Sequence, residues 1–86
     1  MNVLKLYGNS MIIPVQNIVN IVPYDEEIIK EIELRKEKDA VFDTTEYEAD
    51  EPRTVIFTPI SIIITGESFD DIYSEWNRLK EMEGSK

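Results

Sequence analysis

Glu46, Glu48 and Asp50 alternate along the chain, and Glu51 follows directly. On an extended strand the three alternating carboxylates would line one face about 6.7 Å apart. Such an array could hold a hard cation such as Ca2+ or Mg2+, which takes oxygen ligands. The segment has neither the spacing nor the central glycine of an EF-hand loop, so a solvated acidic face is the simpler reading and no metal site is expected. Asp70 and Asp71 form a second acidic pair, but adjacent residues on a helix do not face each other. Their natural place is a helix start, where negative charge meets the positive end of the helix dipole. Ser10, Ser61 and Ser74 have no base partner, and Gly8, Gly66 and Gly84 stand singly as turn residues rather than in a phosphate-cradling loop. Histidine and cysteine are absent. That removes the commonest general base, the commonest metal ligand and any thiolate nucleophile or disulfide. No catalytic residue, metal or cofactor is expected, and binding is the stronger functional class.

The charge distribution points the same way. The 86-residue chain carries 18 acids and 9 bases, net −9. Residues 1–24 contribute one base and no acid, residues 25–51 twelve acids and four bases, and residues 52–86 six acids and four bases. Nearly all the excess therefore sits in the middle of the chain. This argues against direct binding to nucleic acid or to an anionic membrane. From Asp39 to Glu51 there are six acids and no base, with Phe42 and Tyr47 beside them. Asp43, Glu46, Tyr47, Glu48, Asp50 and Glu51 are accordingly candidates for docking on a basic protein surface, where charge complementarity steers association and sets specificity. Imitation of nucleic acid is one version of that idea. Duplex DNA carries one charge per about 1.7 Å, so six acids match only about 10 Å of it. A single chain is thus a poor mimic of a long site.

The elements that would position these residues centre on Arg53–Met82. Val55–Thr65, with Thr54 before it, is dominated by β-branched residues, which favour strands. Pro59 cannot donate to a ladder, so Thr58-Pro59-Ile60-Ser61 reads as a turn between two strands, the alternative being one long edge strand bulged at Pro59. Ile62-Ile63-Ile64 does not alternate, which predicts that both faces of this strand are covered. Phe69, Ile72, Trp76 and Leu79 follow at helical spacing, and Ser68 is a suitable N-cap. Upstream, Val3–Tyr7, the Gly8-Asn9-Ser10 turn and Met11–Val15 read as a hairpin. Ile18–Val22 reads as a further strand ended by Pro23. For Asp25–Lys38 two readings stand. As a helix capped by Asp25, Ile28, Ile29 and Ile32 share a face and Leu34 lies nearly opposite. As a strand, Ile28, Ile32 and Leu34 share one. The wealth of helix formers favours the first. Asp39–Glu51 reads as a loop or a short exposed strand.

The order Val3-Leu4-Lys5-Leu6-Tyr7-Gly8, Ile12-Ile13, Asn17-Ile18-Val19-Asn20-Ile21, then Thr54-Val55-Ile56 and Glu67-Ser68-Phe69-Asp70-Asp71-Ile72 resembles FlbD-like flagellar and swarming-motility proteins. The resemblance implies four strands followed by a helix, and a regulatory or structural role without catalytic residues. The chain departs from that pattern by inserting Pro23–Pro52, by lacking the hairpin glycine where Thr58-Pro59 stands, and by carrying Trp76.

The expected architecture is a single α+β domain over residues 1–86: a mostly antiparallel sheet of four to five strands, a C-terminal amphipathic helix packed on it, and an acidic inserted segment, 25–51, with a second helix. The expected function is that of a small, non-enzymatic regulatory or interaction protein docking on a protein partner. Its size and acidity also fit an inhibitor carried by a phage or mobile element. The alternative is a self-assembling homo-oligomer that binds or sequesters a small ligand, with Ile62, Ile64 and Trp76 as candidates for self-association. The first 24 residues lack the basic region and cleavage site of a signal peptide, and no apolar run approaches the ~20 residues of a membrane span. A cytoplasmic location is therefore expected.

Overall fold

The computed structural model describes residues 2–6, 11–48 and 51–84, with the backbone alone at 47, 48, 83 and 84. The expected turn at Gly8-Asn9-Ser10 lies outside the described residues. The fold is α+β. Strands β1 (Val3–Leu6) and β2 (Met11–Pro14) pair antiparallel as a separate two-stranded sheet. A 3-10 turn, Val15–Asn17, leads into β3 (Asn20–Pro23). Helix α1 (Glu26–Arg35), β4 (Ala40–Asp43) and the single helical turn α2 (Thr45–Glu48) follow. Strands β5 (Thr54–Phe57) and β6 (Ser61–Thr65) and helix α3 (Phe69–Gly84) complete the order. The larger sheet runs β3-β5-β6-β4, antiparallel except for the parallel β4–β6 pair. Among the described residues the larger sheet has four strands, as expected, while the N-terminal hairpin forms a sheet of its own instead of extending it, and Ala40–Asp43 of the insert joins the larger sheet at its edge.

Register explains why the core has two parts. Ile21, Ile56, Ile63 and Phe42 are cross-strand neighbours in one row, so they point to one face of the sheet. The row's first three members pack with Leu4, Leu6 and Ile13 of the hairpin and with Ile72, Trp76 and Leu79 of α3. The opposite face presents Val55, Phe57, Ile62 and Ile64, which pack with Ile32 and, at the margin, Ile28 of α1. The non-alternating Ile62-Ile63-Ile64 run therefore has both faces covered, as its sequence predicts.

The insert provides the second cover. Asp25 caps α1: its Oδ1 accepts from the Ile28 N–H at 2.9 Å. Ile32 is buried, whereas Leu34 is 78% exposed. This rules out the strand reading, in which the two would share a face. A ten-residue helix spans about 15 Å, and three strand spacings come to about 14 Å. Helix α1 is thus long enough to carry the chain from the β3 edge to the β4 edge. Arg35 pairs with Glu31 at 2.7 Å, and Lys36, the C-cap residue, pairs with Glu33 at 2.6 Å. On α3, hydrogen bonds from the Arg78 guanidinium hold the Glu75 carboxyl below its ordinary range. These pairs are exposed, and pairs of this kind contribute little to stability.

The β5–β6 connection is the expected turn. The Thr58 N–H donates to the Ser61 carbonyl at 2.9 Å. The Thr58 hydroxyl oxygen accepts from the Ser61 N–H at 3.0 Å and lies 2.6 Å from the Ser61 hydroxyl. Thr58→Val keeps the shape and the backbone N–H bond but removes the bonds of the hydroxyl. It should lower the urea-unfolding free energy by about 1–2 kcal/mol, whereas an unchanged midpoint would mean that Pro59 alone sets the turn.

Candidate functional site

The site is built around β4, the edge strand formed from the insert. Its polar end is tied down firmly. The Thr44 N–H and hydroxyl both donate to the Ile64 carbonyl, at 2.9 and 2.7 Å. The Asp43 Oδ1 accepts from the Thr45 N–H at 3.0 Å and from the Thr45 hydroxyl. A carboxylate bonding two residues ahead closes a local turn, and α2 begins there. The alternation of Glu46, Glu48 and Asp50 therefore does not produce the extended acidic face that a strand would give, because residues 45–48 are wound into a helical turn. Among the described residues, no group of three or more acidic side chains is placed to hold a metal ion.

The docking candidates divide into those described and those not. Asp43 is half-buried and committed to Thr45, while Glu46 and Glu51 are exposed. Tyr47 and Glu48 lie on α2, and their side chains fall outside the description, as does Asp50 altogether. The self-association candidates are interior: Ile62 and Ile64 lie in the core beneath α1, and Trp76 lies in the core beneath α3. The apolar surface that would draw Ile62 or Ile64 to a second copy is already filled by Ile32 and its neighbours within the chain. Ser61 is spoken for by Thr58, and Asp70 and Asp71 are exposed in the first turn of α3.

Beside β4 lies a feature that local sequence patterns do not reveal. The hairpin and α3 roof over Ile21, Ile56 and Ile63 but stop short of Phe42, the last member of the row, which is 50% exposed. The gap is an apolar cleft of about 410 Å3. Phe42 and Ile63 line it together with Met11–Pro14 and Asn17 on one side and the Thr58–Ser61 turn on the other. Ile12 and Ile60 are exposed at its rim, Ile60 by 79%. Ile60 carried the one legible signal, being a large apolar residue inside a turn, where polar residues are usual.

The edge of β4 that faces away from β6 pairs with no described strand. Ala40 directs its N–H to the carbonyl of Ile60, just before β6, and Thr44 directs its N–H to the Ile64 carbonyl of β6. By the alternation of a parallel ladder, Val41 and Asp43 direct theirs outward. Acidic charge, an uncovered aromatic ring and an open strand edge thus meet within one short segment. No family model and no curated protein matches the chain.

Proposed function

We infer that the chain is a non-enzymatic interaction module that docks through its acidic insert on a basic surface of a protein partner, as a regulator or inhibitor of that partner. The supporting observation is that the base-free run 39–51 supplies both the edge strand and the uncovered ring of an apolar cleft. Interfaces draw affinity from a desolvated aromatic or aliphatic anchor, and orientation and rate from the charges around it. The insert has both ingredients. A proposed kinship with FlbD-like proteins would imply the same class of role. Among the described residues, no helix is long and apolar enough to cross a membrane.

The test is affinity capture with the tagged full chain from a nuclease-treated bacterial lysate, beside the same chain carrying E46Q, E48Q, D50N and E51Q. The expected result is a basic protein recovered by the parent, at least tenfold less by the variant, and less at higher salt as screening shortens the reach of the charges. Equal recovery by parent and variant, with both folded by circular dichroism, would remove the acidic surface from the reading. Recovery of only the chain's own copies would favour the second reading, a self-assembling module that takes a small ligand. The cleft volume supports that alternative, since small-ligand sites commonly span about 300–1,000 Å3.

A further inference from the structure

We propose that the open edge of β4 is the docking element itself: it takes an extended segment of the partner by strand addition, with an apolar side chain of that segment entering the cleft over Phe42 and basic side chains flanking it. The proposal rests on the docking role given above and specifies its geometry.

The backbone supplies the first half of the argument. Val41 and Asp43 point N–H and carbonyl groups away from β6, which is what an added strand needs for main-chain pairing. No proline, lysine or arginine occurs between Ala40 and Asp43, so these guards against strand addition are missing, and the shortness of β4 limits the pairing to a few residues. The side chains supply the second half. Successive residues of a strand face opposite sides of the sheet. Phe42 faces the cleft, while Val41 and Asp43 face the side that α1 covers. An added strand keeps the same alternation. Its residue beside Phe42 therefore meets an apolar cleft, and the residues before and after it meet Val41 and Asp43, with Glu46 just beyond. A basic residue suits the position beside Asp43 and Glu46, whereas Val41 sets no charge preference, so the segment that fits is an extended one in which apolar and basic residues alternate.

Charge decides between a partner and a second copy. Two β4 edges paired antiparallel would bring together two base-free runs of six acids, on chains of net charge −9. That juxtaposition is repulsive, whereas a basic segment turns the same charges into attraction.

The test uses a fluorescein-labelled peptide, Lys-Leu-Lys-Val-Lys-Leu-Lys-amide, titrated with the full chain and followed by fluorescence anisotropy. A second peptide of the same sequence is N-methylated at alternate residues, which blocks strand pairing but keeps the charge. Val41→Pro removes an outward-facing donor without touching the β4–β6 ladder, and Phe42→Ala empties the floor of the cleft. Should Val41→Pro fail to fold, Phe42→Ala and the methylated peptide carry the test. The expected result is saturable binding, weakened at least tenfold by each protein change and by N-methylation. Binding that responds to E46Q/E48Q/D50N/E51Q but ignores Val41→Pro, Phe42→Ala and N-methylation would overturn strand addition and leave acidic docking standing. Absence of binding to the parent would overturn the proposed pattern, while the capture experiment above would still judge docking itself. A parent that sediments as a dimer, and as a monomer once Val41→Pro is introduced, would overturn the proposal in favour of a second copy at the same edge.

Discussion

Ile62→Ala should lower the unfolding free energy by about 2–5 kcal/mol, and Ile62→Asp should leave no folded protein. Ile62 is fully buried, paired between Phe57 of β5 and Val41 of β4, and packed in the cluster that holds Ile32 of α1. Truncation to alanine loses the transfer free energy of three carbons and leaves a cavity that two neighbouring strands and a helix cannot collapse into freely. An ionised carboxylate at the same place would be buried without a partner, a cost of several kcal/mol. Small domains hold about 5–15 kcal/mol in total, so the first change is severe and the second exceeds what the fold can absorb. Urea unfolding followed by Trp76 fluorescence measures the loss, with Ile60→Ala as the exposed control expected within about 0.5 kcal/mol. The loss should not change with protein concentration, because Ile62 is covered by its own chain. A loss that shrinks on dilution would instead put Ile62 at a contact between copies, since association makes stability concentration-dependent. A loss below about 1 kcal/mol would contradict the burial described here.

The same residue shows how much of the fold the sequence made legible. Three consecutive isoleucines announce a strand covered on both faces, but not what covers them. The cover on one side is α1, whose cap Asp25 and apolar pair Ile28 and Ile32 were readable, while Leu34 kept a strand reading open. Exposure of Leu34 is resolved only by tertiary packing. Strand β4 was harder. Ala40-Val41-Phe42-Asp43 is a short apolar patch among acids, and it becomes a strand through parallel pairing with β6, some twenty residues away in sequence. Local propensity carries little information about such distant pairing. The alternation of Glu46, Glu48 and Asp50 imitates a strand, yet the Asp43 carboxylate engages Thr45 and starts a helical turn instead. The cleft is less legible still. Its lining comes from the second strand of the hairpin, the 3-10 turn, the insert and the β5–β6 turn, and it exists because the hairpin stops one strand short of the sheet's edge.

Trp76→Ala should destabilise the fold by about 3–5 kcal/mol, whereas Trp76→Phe should stay within about 1 kcal/mol of the parent. The ring lies in the core under α3, 7% exposed, with Tyr73 edge-on at 5.7 Å and the Lys80 ammonium 3.8 Å from its centroid. Removing the ring empties the centre of the cluster that joins α3 to the hairpin and the sheet. Phenylalanine restores most of the apolar contact and the edge-on arrangement with Tyr73. It surrenders some volume and some of the cation–π attraction, which is strongest for indole and worth about 0.5–1 kcal/mol near the surface. One term acts in the opposite direction. Among the described residues, the buried Trp76 indole N–H has no hydrogen-bond partner, and an unsatisfied buried donor costs about 1–3 kcal/mol. Phenylalanine has no such donor, so the two effects offset. Urea unfolding followed by circular dichroism at 222 nm compares parent and variants without relying on the indole. A Trp76→Phe loss as large as that of Trp76→Ala would mean that the N–H is bonded in solution, and the indole would then act as a polar clamp on the core as well as its filler.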